Sequence, residues 1–271
     1  MTNFKKKKHV GLAISSIGYS HIKNGTCCQD KSAYLSSYSY QAIVVCDGHG
    51  GNKHFRSQIG AEYAINVCRE IYSSFAKQIS KDKNEMPLLK DLEKCLIFKW
   101  REKIAIHLKE HPITQEEYAI CSEMDIKEVN NDPIIIYGTT IISAIICNNK
   151  LFVFQLGDGD ARIITNNGVE RLFEKDSMFV MGRTTSLCNQ DAFSYIKDKI
   201  IPMNNIRCCF ISTDGVGNSF SNDSYFDSFI ESVYTEIKVN NFHFVTNELK
   251  EFLPKLSSGG SGDDVSIAIL K

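Results

Sequence analysis

The chain has 271 residues, of which 43% are hydrophobic and 23% are charged, so it is long enough to bury a full core. Its formal net charge of −1 argues against a general nucleic-acid binder and against a protein held to membrane surfaces by charge. No apolar segment approaches the roughly 20 residues that a membrane span needs, and no signal-type apolar core follows the basic N-terminus.

A single domain over residues 1–271 is predicted, because neither a linker nor an internal repeat divides the sequence. Residues 1–8 are expected to form a solvated basic tail, since residues 5–8 are four consecutive lysines. The ten cysteines include no C-x-x-C pair and several lie in apolar runs, so they are interpreted as reduced thiols. We therefore expect a cytoplasmic monomer with neither a membrane nor a nucleic-acid partner.

The predicted strands are apolar runs that stop at aspartate or at turn residues. In chain order they cover residues 40–46, 134–147, 151–156, 207–213 and 265–270. Residues 148–150, Asn-Asn-Lys, favour a hairpin turn between the second and third of these strands. Two helices, over residues 55–80 and 88–108, are predicted from apolar residues at three- and four-residue spacing. Strands joined by hairpins, with long helices inserted, favour a layered α+β domain.

An aspartate stands at the end of each of several predicted strands, beside a glycine or a second aspartate. These residues are Asp47, Asp158, Asp214 and Asp263. If the strand ends lie side by side, the four carboxylates converge and repel one another unless they bind protons or a metal. An all-oxygen site suits magnesium or manganese, and two such ions can activate a water for attack on a phosphoryl group. Phosphate-ester hydrolysis is the reaction class that this pattern indicates.

Six motifs in order resemble the metal-dependent serine/threonine phosphatases of type 2C, as a divergent, bacterial-type member. They are SHIKNGTCCQD (20–30), VVCDGHGG (44–51), YGTTIISA (137–144), LGDGDAR (156–162), ISTDGV (211–216) and GDDVSIAI (262–269). The resemblance implies a four-layer α-β-β-α sandwich, with two antiparallel sheets flanked by helices. It also implies two Mn²⁺ or Mg²⁺ ions in a cleft and a phosphorylated protein as substrate.

Residue roles follow from the same resemblance. Asp47 would bridge both ions, the carbonyl of Gly48 would bind one of them, and Asp214 with Asp263 would complete the other shell. Asp30 matches an acidic residue whose contact runs through water. His49 would donate a proton to the leaving alkoxide. Asp158 matches a residue that holds a weaker third ion in some members. His21 and Lys23 would contact the substrate phosphate.

The sequence departs from the family pattern in several places. The arginine that commonly grips the phosphate is missing, and Gln29 stands where many members have glutamate. Asn218 replaces a second aspartate, which makes a third ion doubtful, and Asp264 stands at the usual asparagine of the last motif. Residues 174–187 do not resemble the usual flap segment, so no substrate preference is carried over.

Other interpretations stay open. The DGHGG motif and the Asp-Gly pairs also suit ordinary turns, and the departures allow an inactive phosphatase-like module that binds a phosphoprotein or nucleotide. Cys95 and Arg101 have the C-x5-R spacing of cysteine-dependent phosphatases, but no glycine lies between them and the pattern there is helical. His107 and His111 favour an exposed helix face, and residues 257–262 a flexible loop.

Overall fold

The computed structural model describes residues 10–82, 84–174 and 184–271. The predicted basic tail and residues 175–183 of the predicted flap segment lie outside the described residues. The strands are β1 (Gly11–Ser16), β2 (Lys31–Ser36), β3 (Gln41–Cys46), β4 (Ile141–Cys147), β5 (Lys150–Leu156), β6 (Asp160–Thr165), β7 (Gly168–Arg171), β8 (Lys197–Pro202), β9 (Cys208–Ser212) and β10 (Val265–Leu270). The helices are α1 (Tyr19–Asn24), α2 (Ser57–Ile79), α3 (Glu85–Glu110), α4 (Gln115–Ala119), α5 (Glu123–Asn131), α6 (Asp214–Gly217), α7 (Asp223–Val239) and α8 (Phe242–Gly259).

The strands form two five-stranded sheets in which every pairing is antiparallel. One sheet has the order β1-β10-β9-β6-β7 and the other β2-β3-β4-β5-β8. Strand β10 lies between β1 and β9, so residues separated by most of the sequence are neighbours, as in the pair Gly11 and Leu270. The prediction of an α+β fold with two antiparallel sheets is confirmed.

Alternating side chains divide each sheet between two cores. On β3, Ile43 and Val45 pack between the sheets, whereas Ala42, Val44 and Cys46 pack against α2 and α3. The outer face of the other sheet packs in the same way against α7 and α8, through residues such as Phe210 and Ile267. The order of layers is therefore helices, sheet, sheet, helices, and the strands are apolar on both faces because both are covered.

Two predicted boundaries were wrong. Residues 134–147 were predicted as strand with an interruption at residues 138–140, but the part before the interruption, Pro133–Tyr137, forms a 3-10 helix, and β4 begins at Ile141. The cause is local: Asp132 caps that helix by accepting the N–H of Ile134, and Pro133 favours the first helical turn. Residues 257–262 were predicted as a flexible loop, but α8 continues through Gly259 and the side chain of Ser257 is buried.

The remaining sequence predictions of local structure agree with the fold. The two long predicted helices correspond to α2 and α3, and the Asn148-Asn149 hairpin has positive φ at both residues. All ten cysteines are free thiols, and Cys95 and Arg101 both lie within α3. None of the helices in the described ranges is both long and apolar enough to cross a membrane. The single-domain assignment stays a prediction.

Candidate metal centre

Asp47 leaves β3 at a position fixed by the segment that precedes β4. Its N–H donates to Oγ1 of Thr140 at 3.1 Å, and its carbonyl accepts the Thr140 N–H at 2.8 Å. The Thr139 hydroxyl donates to the same carbonyl at 2.9 Å. These three bonds hold the main chain of Asp47 against the segment that precedes β4.

Asp47, Asp158 and Asp214 come together at this end of the sandwich. Asp158 lies in the turn from β5 to β6, and Asp214 is the first residue of α6, directly beyond β9. One carboxylate oxygen of each residue lies within 4.8 Å of the others. Three strand ends, far apart in sequence, thus place three acidic side chains around one point.

Burial raises the pKa of all three carboxyl groups. The pKa of Asp47 is raised well above its usual range by burial and by the charges of Asp30 and Asp214. The pKa of Asp214 rises to about 6, first through burial and then through the charge of Asp158. Burial also raises the pKa of Asp158, although the Thr184 hydroxyl opposes this by donating to its Oδ2 at 2.6 Å.

The donor set fits a divalent cation. Within residues 10–82, 84–174 and 184–271, no lysine or arginine forms an ion pair with Asp47, Asp158 or Asp214. These half-buried carboxylates therefore oppose one another's ionisation, and a hard cation with oxygen ligands would relieve that repulsion.

Asp30 and Asp263 lie beside this group but outside it. Asp30 is buried, and its Oδ2 accepts the Thr213 hydroxyl at 2.7 Å. Burial raises the pKa of Asp30 well above its usual range, and the charges of Asp264 and Asp263 add to this. The Asp263 side chain is 55% exposed. Both residues are close enough to act electrostatically on the site, and their assignment as metal ligands stays a prediction.

Gly48 lies where no larger residue fits. It forms a β-bridge with Thr139, and a Cβ atom added to it would lie 2.7 Å from the carbonyl oxygen of Gln29. The glycine therefore lets the main chain after Asp47 pass close to its neighbours. The role of its carbonyl as a metal ligand stays a prediction.

His49 follows on the same loop, and its environment differs from the expected one. Its N–H donates to the Gly138 carbonyl at 3.0 Å, and its ring packs edge-on against His54 with centroids 5.1 Å apart. Burial lowers the pKa of His49 to about 3, and the nearby charges of His54 and Lys53 act in the same direction. With this pKa the imidazole is neutral at pH 7, whereas a proton donor to the leaving alkoxide must carry the proton. A phosphate dianion beside the ring would raise that pKa.

His21 and Lys23, the predicted phosphate contacts, lie on α1. His21 Nδ1 is 2.9 Å from Oδ1 of Asp264, and its Nε2 is 3.9 Å from Oδ1 of Asp263. Lys23 is exposed, and its Nζ lies 4.6 Å from the centre of the Tyr19 ring. The assignment of both residues to the substrate phosphate stays a prediction.

Residues 17–254 match the family model Protein phosphatase 2C. This match covers most of the chain. The chain belongs to the protein phosphatase 2C family. Over 160 residues it is also 21% identical to Serine/threonine phosphatase stp of Listeria welshimeri serovar 6b, a match that covers 59% of this chain. That match spans about half of the relative's length, 53%.

Solved structures show the same fold. Serine/threonine phosphatase Stp1 from Staphylococcus aureus superimposes with a TM-score of 0.64 at 13% identity, covering 97% of this chain and 95% of its own. The catalytic domain of the serine threonine protein phosphatase PstP, in complex with two manganese ions, gives a TM-score of 0.59 at 14% identity, with 97% coverage of both chains. The four-layer sandwich is thus the fold of these two serine/threonine phosphatase structures.

In this member of the protein phosphatase 2C family, Asp264 stands where the last motif usually has asparagine, and its side chain links segments that are distant in sequence. The buried Asp264 carboxylate accepts the main-chain N–H groups of Gly18 and Gln29, both at 2.6 Å, in addition to its contact with His21. Sequence reasoning noted only that Asp264 stands at an asparagine position. No local signal indicates that its partners lie more than 230 residues away.

Arg56 is a second residue that sequence reasoning missed. Its buried guanidinium forms an ion pair with Glu117, at 2.6 Å from Nε to Oε1, and donates to the Tyr137 hydroxyl at 2.9 Å. His107 Nδ1 lies 2.7 Å from the same hydroxyl, so the ring of His107 is half-buried and not simply on an exposed helix face. Together these contacts brace the loop after Asp47 against α3 and α4.

A cavity of about 320 Å³ adjoins the aspartates. Its lining includes Gln155, Asp158, Arg171, Phe173, Asp214 and Asn218. Asp158 and Asp214, two of the three clustered aspartates, therefore line an open cavity.

Proposed function

We propose that this chain is a manganese- or magnesium-dependent protein phosphatase that hydrolyses phosphoserine and phosphothreonine in proteins. The observation that carries the proposal is the group formed by Asp47, Asp158 and Asp214, three carboxylates of raised pKa beside an open cavity. Membership of the protein phosphatase 2C family and the manganese ions of PstP support it.

Asp47, Asp214 and Asp263 would hold two ions together with the carbonyl of Gly48, and Asp30 would act through water. Because Asp158 lies with Asp47 and Asp214, we assign it to the same centre and not to the weaker third ion that the resemblance implies. When bound, the ions supply Lewis acidity and positive charge, which suit phosphoryl transfer to water. A third ion stays doubtful, because Asn218 stands near the site as a neutral amide and donates to Oδ2 of Asp214 at 3.0 Å.

His49 would act as the proton donor to the leaving alkoxide. Its half-buried ring packs against His54 and has a lowered pKa, so the substrate phosphate would have to raise that pKa before the ring carries a proton at neutral pH. His21 and Lys23, both on α1, would contact the substrate phosphate. Water is the proposed nucleophile, so no phospho-enzyme should form.

The partner is proposed to be a phosphorylated protein, and the chain is proposed to act as a monomer in the cytoplasm. The test is hydrolysis of p-nitrophenyl phosphate and of a phosphothreonine peptide, with Mn²⁺ added and then with excess EDTA. Manganese-dependent turnover that EDTA removes and fresh metal restores would support the proposal. A folded protein that binds Mn²⁺ without turnover would instead indicate a phosphatase-like module that binds phosphoproteins or nucleotides.

A further inference from the structure

Gln155 interrupts the apolar pattern of β5. The side chains of Leu151 and Val153 pack between the two sheets, and alternation places Gln155 on the same face. Only 6% of the surface of Gln155 is exposed. The preceding residues on that face of β5 are aliphatic. A buried amide in such a place is unfavourable unless its polar atoms are bonded, so its contacts indicate what it does.

The amide nitrogen of Gln155 bonds both sides of the turn that carries Asp158. Nε2 donates to the carbonyl of Gly157 at 3.0 Å and to the carbonyl of Gly159 at 2.8 Å. Asp158 is the residue between these two glycines. We propose that Gln155 is a positioning residue for Asp158 in the metal centre, an inference that rests on the proposed function. One side chain uses both of its N–H donors to fix the main chain on either side of a predicted metal ligand.

The turn needs such a restraint because of its composition. Gly157 has φ of 110°, a conformation that residues with a side chain rarely adopt, and a Cβ there would lie 2.5 Å from the Cβ of Thr140. A Cβ on Gly159 would meet the carbonyl oxygen of Ser212 and the side chain of Ile142. Close packing requires both glycines, yet glycine is the residue with the greatest main-chain freedom. The amide of Gln155 restricts that freedom without adding a charge next to the carboxylates.

A separate contact orients the carboxylate itself. Thr184 donates to Oδ2 of Asp158 at 2.6 Å, so the side chain and the main chain of Asp158 are held by different residues. Loss of Gln155 would leave the bond from Thr184 in place and release only the turn. We therefore expect the position of Asp158 relative to Asp47 and Asp214 to become less well defined, with the fold retained.

The oxygen of the amide supports a role in the site over a role in stability. In the part of the chain that the structure describes, Gln155 Oε1 is buried and has no hydrogen-bond partner. Gln155 lines the same cavity as Asp158 and Asp214. A methionine of similar length would fill this space without an unbonded polar atom, so the amide is poorly explained by packing alone.

The test is Gln155→Met, which keeps the length of the side chain and removes its donors. Metal-free protein would be titrated with Mn²⁺, with free Mn²⁺ measured by electron paramagnetic resonance. We expect affinity for Mn²⁺ to fall about 10- to 100-fold, the usual effect of losing a residue that supports a metal ligand. The fold should be retained with a modest fall in the unfolding midpoint in EDTA, because the carbonyls of Gly157 and Gly159 lose a donor. With p-nitrophenyl phosphate as substrate, the Mn²⁺ concentration for half-maximal turnover should rise, and excess Mn²⁺ should restore the rate.

Gln41→Met is the matched control. Gln41 lies in the same sheet but at the opposite end of β3 from Asp47, where it pairs with Ser36 and Ile146. Its replacement should leave Mn²⁺ affinity unchanged. Equal Mn²⁺ affinity in the wild type and in Gln155→Met would overturn the inference. If Gln155→Met does not fold, Gln155→Asn gives the same test, because an amide one methylene shorter cannot reach both carbonyls.

The outcomes separate this inference from the proposed function. Wild-type protein that binds Mn²⁺ without hydrolysing phosphoesters would refute the phosphatase, and weaker Mn²⁺ binding by Gln155→Met would still support the role of Gln155. Turnover with unchanged Mn²⁺ affinity in the variant would refute only the role of Gln155. Wild-type protein that binds no Mn²⁺ would overturn both.

Discussion

The imidazole of His21 and the carboxylate of Asp264 are direct partners, with 2.9 Å between Nδ1 and Oδ1. Asp264 stands at the usual asparagine of the last motif, and His21 lies in the first motif, which lacks its usual arginine. The contact therefore joins the first motif to the last. Asp264 also accepts the N–H groups of Gly18 and Gln29, so one carboxylate joins β10 to the two ends of the segment between β1 and β2.

Asp264→Asn should destabilise the fold. Asparagine offers one acceptor oxygen in place of two and adds donors, so the N–H of Gly18 or of Gln29 would lose its partner. We expect a loss of about 1–3 kcal/mol in the free energy of unfolding, the range for a buried donor left unbonded. Urea denaturation in EDTA measures it, with Asp91→Asn on the exposed face of α3 as the control. Equal stability of the two variants would contradict the anchoring role of Asp264.

Asp47→Asn should remove turnover and keep the fold. The substitution takes away the central carboxylate of the group, and we expect the rate to fall by at least the roughly 100-fold that disturbance of a metal site can cost. The unfolding midpoint in EDTA should be unchanged or higher, because one of the repelling carboxylates is gone. Activity at the level of Asp91→Asn would remove the aspartate metal centre from consideration.

The stability of the metal-free protein should depend on pH through Asp214. Its pKa is about 6 in the folded protein against an ordinary value of 3.8, so the folded state binds more protons between these values. The contribution of Asp214 to stability is therefore largest below about pH 4 and is lost as pH rises through about 6.

Asp214→Asn tests this sign. Asparagine does not titrate, so in EDTA the variant should gain stability relative to the wild type as pH rises from about 4 to 7, by at most about 3 kcal/mol. Saturating Mn²⁺ should reverse the order at pH 7, because only the wild type keeps all three ligands. Urea denaturation at three pH values would measure the difference, and a difference independent of pH would argue against the raised pKa.

His49→Ala should slow the hydrolysis of alkyl phosphates more than that of aryl phosphates. A phenolate leaves without full protonation, whereas an alkoxide needs a proton donor, and such a donor typically contributes about 100-fold or more. Rates on phosphoserine and on p-nitrophenyl phosphate would be compared, with His243→Ala on the exposed side of α8 as the control. A similar loss on both substrates would assign His49 a role other than acid catalysis.

The long apolar strands could be predicted from sequence because they are buried on both faces. β3, β5, β9 and β10 are largely hydrophobic runs with an Asp or Gly close to one end. Four aspartates at such ends were predicted to converge, and the structure groups three of them, Asp47, Asp158 and Asp214. Strands of mixed composition were missed. β8 reads KDKIIP and lies at the edge of its sheet, so it lacks the apolar signal of a central strand.

The residues that support the site could not be predicted, because their partners are distant in sequence. Arg56 meets Glu117, and Asp264 meets Gly18, only after the layers have packed. Gln155 offered one local signal, a polar residue at an alternating position otherwise filled by aliphatic side chains. That signal shows that a position is unusual without showing which turn its amide would bond.

The placement of β10 between β1 and β9 has a consequence for synthesis on the ribosome. The pairing of Gly11 with Leu270, and the bonds from Gly18 and Gln29 to Asp264, join segments that are translated far apart in time. A nascent chain that already contains Asp47, Asp158 and Asp214 still lacks the strand that joins β1 to β9. The chain should therefore gain its affinity for Mn²⁺ abruptly, once residues 264–270 have left the exit tunnel, because non-local strand pairing forms late.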